Sequence, residues 1–435
     1  VTLLHEEIEK EVIKRIRPTE EEKELRDKVF SLVREKLEKF LSEKGLEADI
    51  ELQGSARKGT WLRGNLELDV FILFEPRDKE WIKEVVFPVL LEAAKELGPY
   101  EVRFAEHPYV RVYVLGVPVE LVPAFKVEDG SKAITAVDRT PFHTRYVLSK
   151  IKELGEQIVD EIRLMKAFLK GIGTYGAEIK VRGFSGYATE LLVLHYGGFG
   201  EALRAISKWR PPVVVNANKD AIKRFPNAEV IMLDPVDPRR NVTAAVSAES
   251  LSLTILAANR YISKPKLEFF FPPQEGEVRA NLPVYLIEFP IAKEPPETVW
   301  GELKRIGNSI VKNLKNMDFR VTRWHAWTDE KSFAAIVIEL LEDTLPEYEV
   351  IKGPPVWLKN ANDFLDAHIE GPVWVEGYRL YALRKRRFRK VDEAIVSIIK
   401  NLKAKSLKLE NFNLSKVEKG KGWLGEFLKG RKAWM

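Results

Sequence analysis

Two acids lie two residues apart, Glu67 and Asp69, at the head of the run Asn65-Leu66-Glu67-Leu68-Asp69-Val70-Phe71-Ile72-Leu73-Phe74. A run this short and this rich in Leu, Val, Ile and Phe reads as a strand, and residues two apart on a strand share a face. The chain must then fold so that two carboxylates project together while Leu66, Leu68, Val70 and Ile72 pack behind them. A second strand, Val117 to Pro123, carries a single acid, Glu120, in an otherwise apolar run. Three carboxylates on neighbouring strands suit two Mg²⁺ ions, hard cations that take oxygen ligands and keep phosphates as further partners. Alternating polar and apolar residues are also the ordinary pattern of a half-buried strand, so the acids gain weight from what precedes them. Ile50 to Ser55 ends a short strand in Gly54-Ser55, a turn whose backbone N–H groups and hydroxyl can bind a triphosphate. Arg57, Lys58 and Arg63 follow before the acidic strand begins.

Residues 54–74, GSARKGTWLRGNLELDVFILF, resemble the nucleotidyltransferase signature of the polymerase-beta superfamily. AEHPYVRVYVLGVPVELVPAF at 105–125, AVDRTPFHTRYV at 136–147, LMKAFLKGIGTYGAEIKVRGFSGYATELL at 164–192 and DPVDPRRNVTAAVS at 234–247 resemble, in order, successive motifs of the archaeal-type, class I CCA-adding enzymes. The resemblance implies template-independent addition of C, C and A to the 3′ end of tRNA from CTP and ATP, with release of pyrophosphate and with two Mg²⁺ ions as cofactors. It makes Glu67, Asp69 and Glu120 the catalytic and metal-holding residues. Glu120 stands where the family usually has Asp, and the extra methylene moves the carboxylate by about 1.5 Å if the strand does not shift. Ser55, Lys58, His143, Lys166 and Tyr175 match residues that hold phosphates and ribose. Lys58 replaces a frequent Arg, keeping the charge without the bidentate fork, and Arg57 competes with it for the role. Arg240 and Asn241 match the base-selecting segment. Cytosine and adenine each present a ring-nitrogen acceptor beside an amino donor, so an Arg donor paired with a nearby acceptor accepts both and leaves U and G with unpaired polar groups. Two other readings are a poly(A) or poly(U) polymerase, and an RNA-binding relative impaired in catalysis.

The fold class expected is α+β and multidomain. It comprises a polymerase-beta-like head at 1–145, a helical central domain at 146–258 with the nucleotide-selecting residues, a ferredoxin- or RRM-like α/β body at 259–378, and a basic tail at 379–435. Thr19-Glu20-Glu21-Glu22 reads as a capping box, followed by an apolar stripe of Leu25, Val29, Leu32, Val33, Leu37, Phe40 and Leu41. The body reads as strand 284–289, helix 297–314, then paired strands 319–325 and 333–340, a β-α-β-β order. Net charge is +5 over 435 residues, yet residues 379–435 hold 17 Lys and Arg against 5 Asp and Glu, a local +12 that leaves −7 for the rest. Arg384 to Lys390 is therefore the expected phosphate-binding surface for tRNA, read by shape and backbone. The chain lacks cysteine, which excludes disulfides, thiol nucleophiles and Cys-ligated zinc. Its apolar runs are too short to span a bilayer and no signal-peptide pattern opens it, so no membrane partner and a cytoplasmic location are expected, with a homodimer as an allowed assembly.

Overall fold

The helix start announced by Thr19-x-x-Glu22 is present in the computed structural model, which describes residues 3–435. After α1 (Glu6–Ile16), helix α2 (Glu20–Glu43) opens on this cap. Thr19 Oγ1 accepts from the Glu22 N–H at 3.2 Å, and the Glu22 carboxylate accepts from the Thr19 N–H at 3.1 Å, a reciprocal pair worth about 1 kcal/mol. Val29, Val33, Leu37, Phe40 and Leu41 are buried as their spacing requires. Leu32 departs from the expected stripe and is 40% exposed, because Val29, Val33 and Leu37 form the row that meets the sheet and Leu32 leans to its solvent side.

That sheet has five strands: β1 (Asp49–Gln53), β2 (Leu68–Phe74), β3 (Tyr100–Phe104), β4 (Pro108–Val114) and β5 (Val117–Phe125), in the order β1-β2-β5-β4-β3. Within it only β2 and β5 run parallel. One face packs Leu68, Val70, Ile72, Val110, Val112, Val119 and Leu121 into a core shared with α2 and the helix Phe87–Leu97. The other face carries the smaller cluster Phe71, Leu73, Val122 and Ala124, and Asp69 and Glu120 are in phase with it. Helices Thr140–Leu154, Gln157–Ile172, Gly186–Tyr196, Phe199–Ile206 and Ala248–Ser263 follow. They enclose a core in which Phe168 stacks on Phe269 with ring centroids 5.6 Å apart.

The chain divides into two compact units, one ending at Pro273 and regaining Lys432–Met435, the other Gln274–Arg431. The expected boundary at 258/259 is thus displaced, because Tyr261, Phe269 and Phe270 are core residues of the first unit. Residues 1–145 and 146–258 belong to that same unit.

The second unit contains the expected β-α-β-β order: Val284–Pro290, helix Pro296–Asn316, Val321–Thr328 and Phe333–Leu340. The helix lies close enough to the sheet that a Cβ on Gly307 would meet the Trp324 ring at 2.2 Å. The expected appended tail at 379–435 is not one. Arg379–Lys385 is the central strand between Tyr348–Pro355 and Val373–Glu376, and Asn413–Lys416 pairs antiparallel with Val284–Pro290. Trp434 is buried in the first unit against Phe269, centroids 5.2 Å apart. No helix among the described residues is long and apolar enough to cross a membrane.

Candidate active site

Register places the acids. Asp69 lies opposite Glu120 in the parallel pair β2/β5, Gln53 opposite Asp69 in β1/β2, and Arg111 opposite Glu120 in β4/β5. One row across the sheet therefore reads Gln53, Asp69, Glu120, Arg111. Glu67 precedes the first residue of β2 rather than lying within the strand. It reaches the row through Arg111, whose guanidinium donates to Glu67 at 3.0 Å and to Glu120 at 3.3 Å. Burial pushes the Asp69 carboxyl up to about 7, and the negative charges of Glu120 and Glu67 push the same way. Burial also raises Glu120, against the opposing pull of Arg111. Among the described residues no three such side chains already converge on one point. The donor set nonetheless fits a hard divalent cation: three carboxylates, of which Asp69 is half-buried and has its carboxyl raised by burial and by the two neighbouring acids, a charge imbalance that a cation would relieve.

Gly54 and Ser55, expected in a turn, open the five-residue helix α3 (Gly54–Lys58), with Gly54 at φ +66°. A Cβ on Gly54 would lie 2.2 Å from Asp69 Oδ2, so a glycine is what lets this backbone pass against the half-buried acid. Of the two competing basic residues, Arg57 is exposed and Lys58 points inward to an ion pair with Glu190.

Glu190, which sequence reasoning missed, joins two of the expected phosphate-holding residues. It sits on the helix Gly186–Tyr196 and is buried. One carboxylate oxygen takes Lys58 Nζ, while the other accepts from Thr60 Oγ1 at 2.7 Å and lies 3.7 Å from Lys166 Nζ. Lys166 also donates to the Thr60 carbonyl and hydroxyl at 3.2 and 3.1 Å. Burial alone would raise the Glu190 carboxyl, but Lys166 and Lys58 hold it below its ordinary value. Burial pushes Lys166 down to about 8, Glu190 opposing. Deleting one member of such a buried pair leaves an unpaired charge, at a cost of about 3–5 kcal/mol. The available signal was an acid inside the apolar run Leu191 to Leu194 and Ala188. Tyr175 borders this cluster: burial raises its hydroxyl, with Glu190 the nearest-acting charge, and a Cβ on Gly186 would meet Tyr175 Oη at 3.0 Å.

A second hub, also missed, is Asp234. It is fully buried, accepts from Arg240 at 2.9 Å and Tyr187 Oη at 3.0 Å, and lies 2.7 Å from His143 Nε2. His143 stacks on Tyr187, centroids 3.9 Å apart. Burial lowers the imidazole below its ordinary value, with Asp234 opposing, and because an ionised carboxylate only accepts, His143 Nε2 carries the proton. The segment expected to select the base forms the hairpin Leu233–Asp234 and Asp237–Asn241, with the Arg240 side chain 39% exposed. Asn241 differs from expectation. Its Oδ1 accepts from the Met232 and Thr243 N–H groups and from Thr243 Oγ1, and its Nδ2 donates to the Val230 carbonyl. The amide is consumed in holding the hairpin and is buried.

In the second unit, the basic run is partly neutralised. Arg384 pairs with Glu349, Lys385 with Glu347, and Arg386 with Asp318 and Glu349. Arg386 and Arg387, with Asn313, Asn316, Ser397 and Asn401, line a cavity of about 460 Å³.

Comparison with known proteins follows this geometry along the chain. A nucleotidyltransferase domain matches residues 34–143, the second domain of tRNA nucleotidyltransferase matches 160–271, and the C-terminal domain of the CCA-adding enzyme matches 281–408. The chain is 43% identical over 384 residues to the CCA-adding enzyme of Saccharolobus shibatae, covering 87% of this chain and 89% of that protein. It is 40% identical over 432 residues to that of Sulfurisphaera tokodaii, covering 98% and 99%. It is 40% identical over 399 residues to that of Pyrobaculum islandicum, covering 90% and 92%.

Proposed function

The chain belongs to the CCA-adding enzymes, and on that premise we propose that it adds C, C and A to the 3′ end of tRNA from CTP and ATP, using the row Asp69–Glu120 as its reaction centre. The observation that supports this most is that register: two acids directly opposite on parallel strands, with Glu67 tied to the same row through Arg111.

Glu67, Asp69 and Glu120 would hold Mg²⁺, which when bound supplies positive charge for the RNA 3′-hydroxyl and for the departing phosphates. In the transfer, the 3′-hydroxyl gives up its proton to solvent water, its oxygen bonds to the α-phosphorus, the bond from that phosphorus to the bridging oxygen breaks, and pyrophosphate leaves with the electron pair. Lys58 and Lys166, held on opposite oxygens of Glu190, place two cations for the triphosphate, and the Ser55 hydroxyl at the head of α3 donates to it. Catalysis by these residues is positioning and charge stabilisation. Tyr175, beside the Glu190 cluster, and His143, held on Asp234, would serve the ribose and phosphates.

Selection rests on Arg240. Its guanidinium is anchored on Asp234, leaving outward N–H groups to donate to the ring-nitrogen acceptor of cytosine or adenine. Uracil and guanine present a ring N–H at that edge, so donor faces donor and the mismatch is not relieved. The tRNA is held by the second unit through phosphates, and a substrate of this class places the reaction in the cytoplasm.

The test is product length at nucleotide resolution on tRNA ending at the discriminator base. CTP alone should add two residues, and CTP with ATP three, followed by arrest. A homopolymer would identify a poly(A)- or poly(U)-type enzyme, and no addition with intact tRNA binding would identify a catalytically impaired relative.

A further inference from the structure

Glu190 lies outside the acid row and outside the set of residues expected to meet nucleotide, yet both expected phosphate-holding lysines converge on it. We propose that Glu190 is a positioning residue that fixes the Lys58 and Lys166 ammonium groups at set places for the triphosphate. This rests on the reading that those lysines bind phosphate.

The geometry carries the inference. Lys58 comes from α3 and Lys166 from the helix Gln157–Ile172, more than a hundred residues later in the chain. Each lysine side chain is at most 6% exposed. Two ammonium groups brought this close would repel, and each buried long side chain would lose rotamer freedom without a partner. A carboxylate with one oxygen on Lys58 and the other shared between Thr60 Oγ1 and Lys166 removes the repulsion and orients both. Glu190 itself cannot adjust freely, since it projects from the second turn of the helix Gly186–Tyr196, whose first turn is capped by Ser185 Oγ accepting from the Ala188 N–H. On the preceding turn of that helix, Tyr187 stacks on His143 and donates to Asp234, so one helix start braces both the lysine cluster on Glu190 and the group of residues on Asp234.

Charge state follows from the same contacts. The charged groups facing Lys166 are Glu190, Lys58 and Arg163, of which Glu190 alone favours the ammonium form; burial and the two cations oppose it. A lysine whose pKa is lowered is charged below that pKa and neutral above it, so phosphate affinity that depends on Lys166 falls as pH rises through about 8. Removing the Glu190 charge moves that fall to lower pH.

The experiment is equilibrium binding of ATP between pH 6 and 9 to the full-length protein, for wild type, Glu190→Gln, Glu190→Asp, Lys58→Ala and Lys166→Ala, with circular dichroism confirming each fold. Glu190→Gln is expected to weaken ATP binding about tenfold at neutral pH and to shift its loss to lower pH, which a merely structural role would not do. Glu190→Asp keeps the charge and is expected to keep the wild-type pH profile at reduced affinity; it carries the test alone if Glu190→Gln does not fold. Wild-type affinity in whichever Glu190 variants fold, with Lys58→Ala and Lys166→Ala both weakened, overturns the proposal while leaving the phosphate reading intact. Wild-type affinity in both lysine variants overturns the phosphate reading, and the proposal with it.

Discussion

Gly54→Ala tests the reaction centre through a residue that has no side chain of its own. An ideal Cβ there falls 2.2 Å from Asp69 Oδ2 and 3.3 Å from its Cγ, where ordinary contacts begin near 3.4 Å. The half-buried carboxylate must therefore move by about 1 Å, and a displacement of that size in a reacting constellation costs roughly a hundredfold in rate. The backbone contributes separately: φ is +66° at Gly54, and a side chain in that region costs about 1–2 kcal/mol. Gly59→Ala separates the two effects, since Gly59 has φ +77° with nothing within 4 Å of its Cβ. Single-turnover addition of one C to tRNA lacking CCA, with calorimetric melting of both variants, is the assay. Both should melt earlier by several degrees, but only Gly54→Ala should lose the rate. Addition by Gly54→Ala within about threefold of wild type would refute the placement of Asp69 at the reaction centre.

Asp69→Ala should lose about 4 kcal/mol of transition-state stabilisation, roughly a thousandfold in turnover, while tRNA affinity in filter binding stays near wild type. Glu120→Asp should preserve or raise turnover if the site merely tolerates the longer acid, whereas collapse would show a site built around the Glu120–Arg111 pair. Arg240→Ala should lower incorporation of C and A and narrow their advantage over U in steady-state competition; an unchanged preference would leave Arg240 a structural partner of Asp234. Truncation at Arg384 would shorten the central strand Arg379–Lys385 and remove Asn413–Lys416, the partner of Val284–Pro290, so the role of the positive charge is tested by Arg387→Ala, expected to reduce the log–log salt slope of tRNA binding by about 0.7–0.9.

Strand alternation is local, so the sequence shows Asp69 on one face with Phe71 wherever β2 is placed, whereas Glu67, expected on the same strand face, falls before the strand begins. The capping box at Thr19 and the β-α-β-β order after Val284 are local in the same way. What stayed hidden is long-range. Glu190 finds Lys58 across 132 residues and His143 finds Asp234 across 91, and no periodicity encodes such pairings. Asn241 illustrates the converse: motif position marked it as a base reader, while its amide is spent on four neighbouring groups. The basic segment looked like a tail because charge composition says nothing of strand pairing, and the partner of Asn413–Lys416 lies more than a hundred residues earlier.

In the proposed reaction Glu67, Asp69 and Glu120 form one cation-holding centre. Titration of the protein with Mn²⁺ in the presence of CTP, following the electron paramagnetic resonance signal of the free ion, tests it directly against Asp69→Asn and Glu120→Gln. The wild type is expected to bind Mn²⁺ saturably, with binding lost in Asp69→Asn and weakened in Glu120→Gln. Equal binding by all three proteins would contradict it.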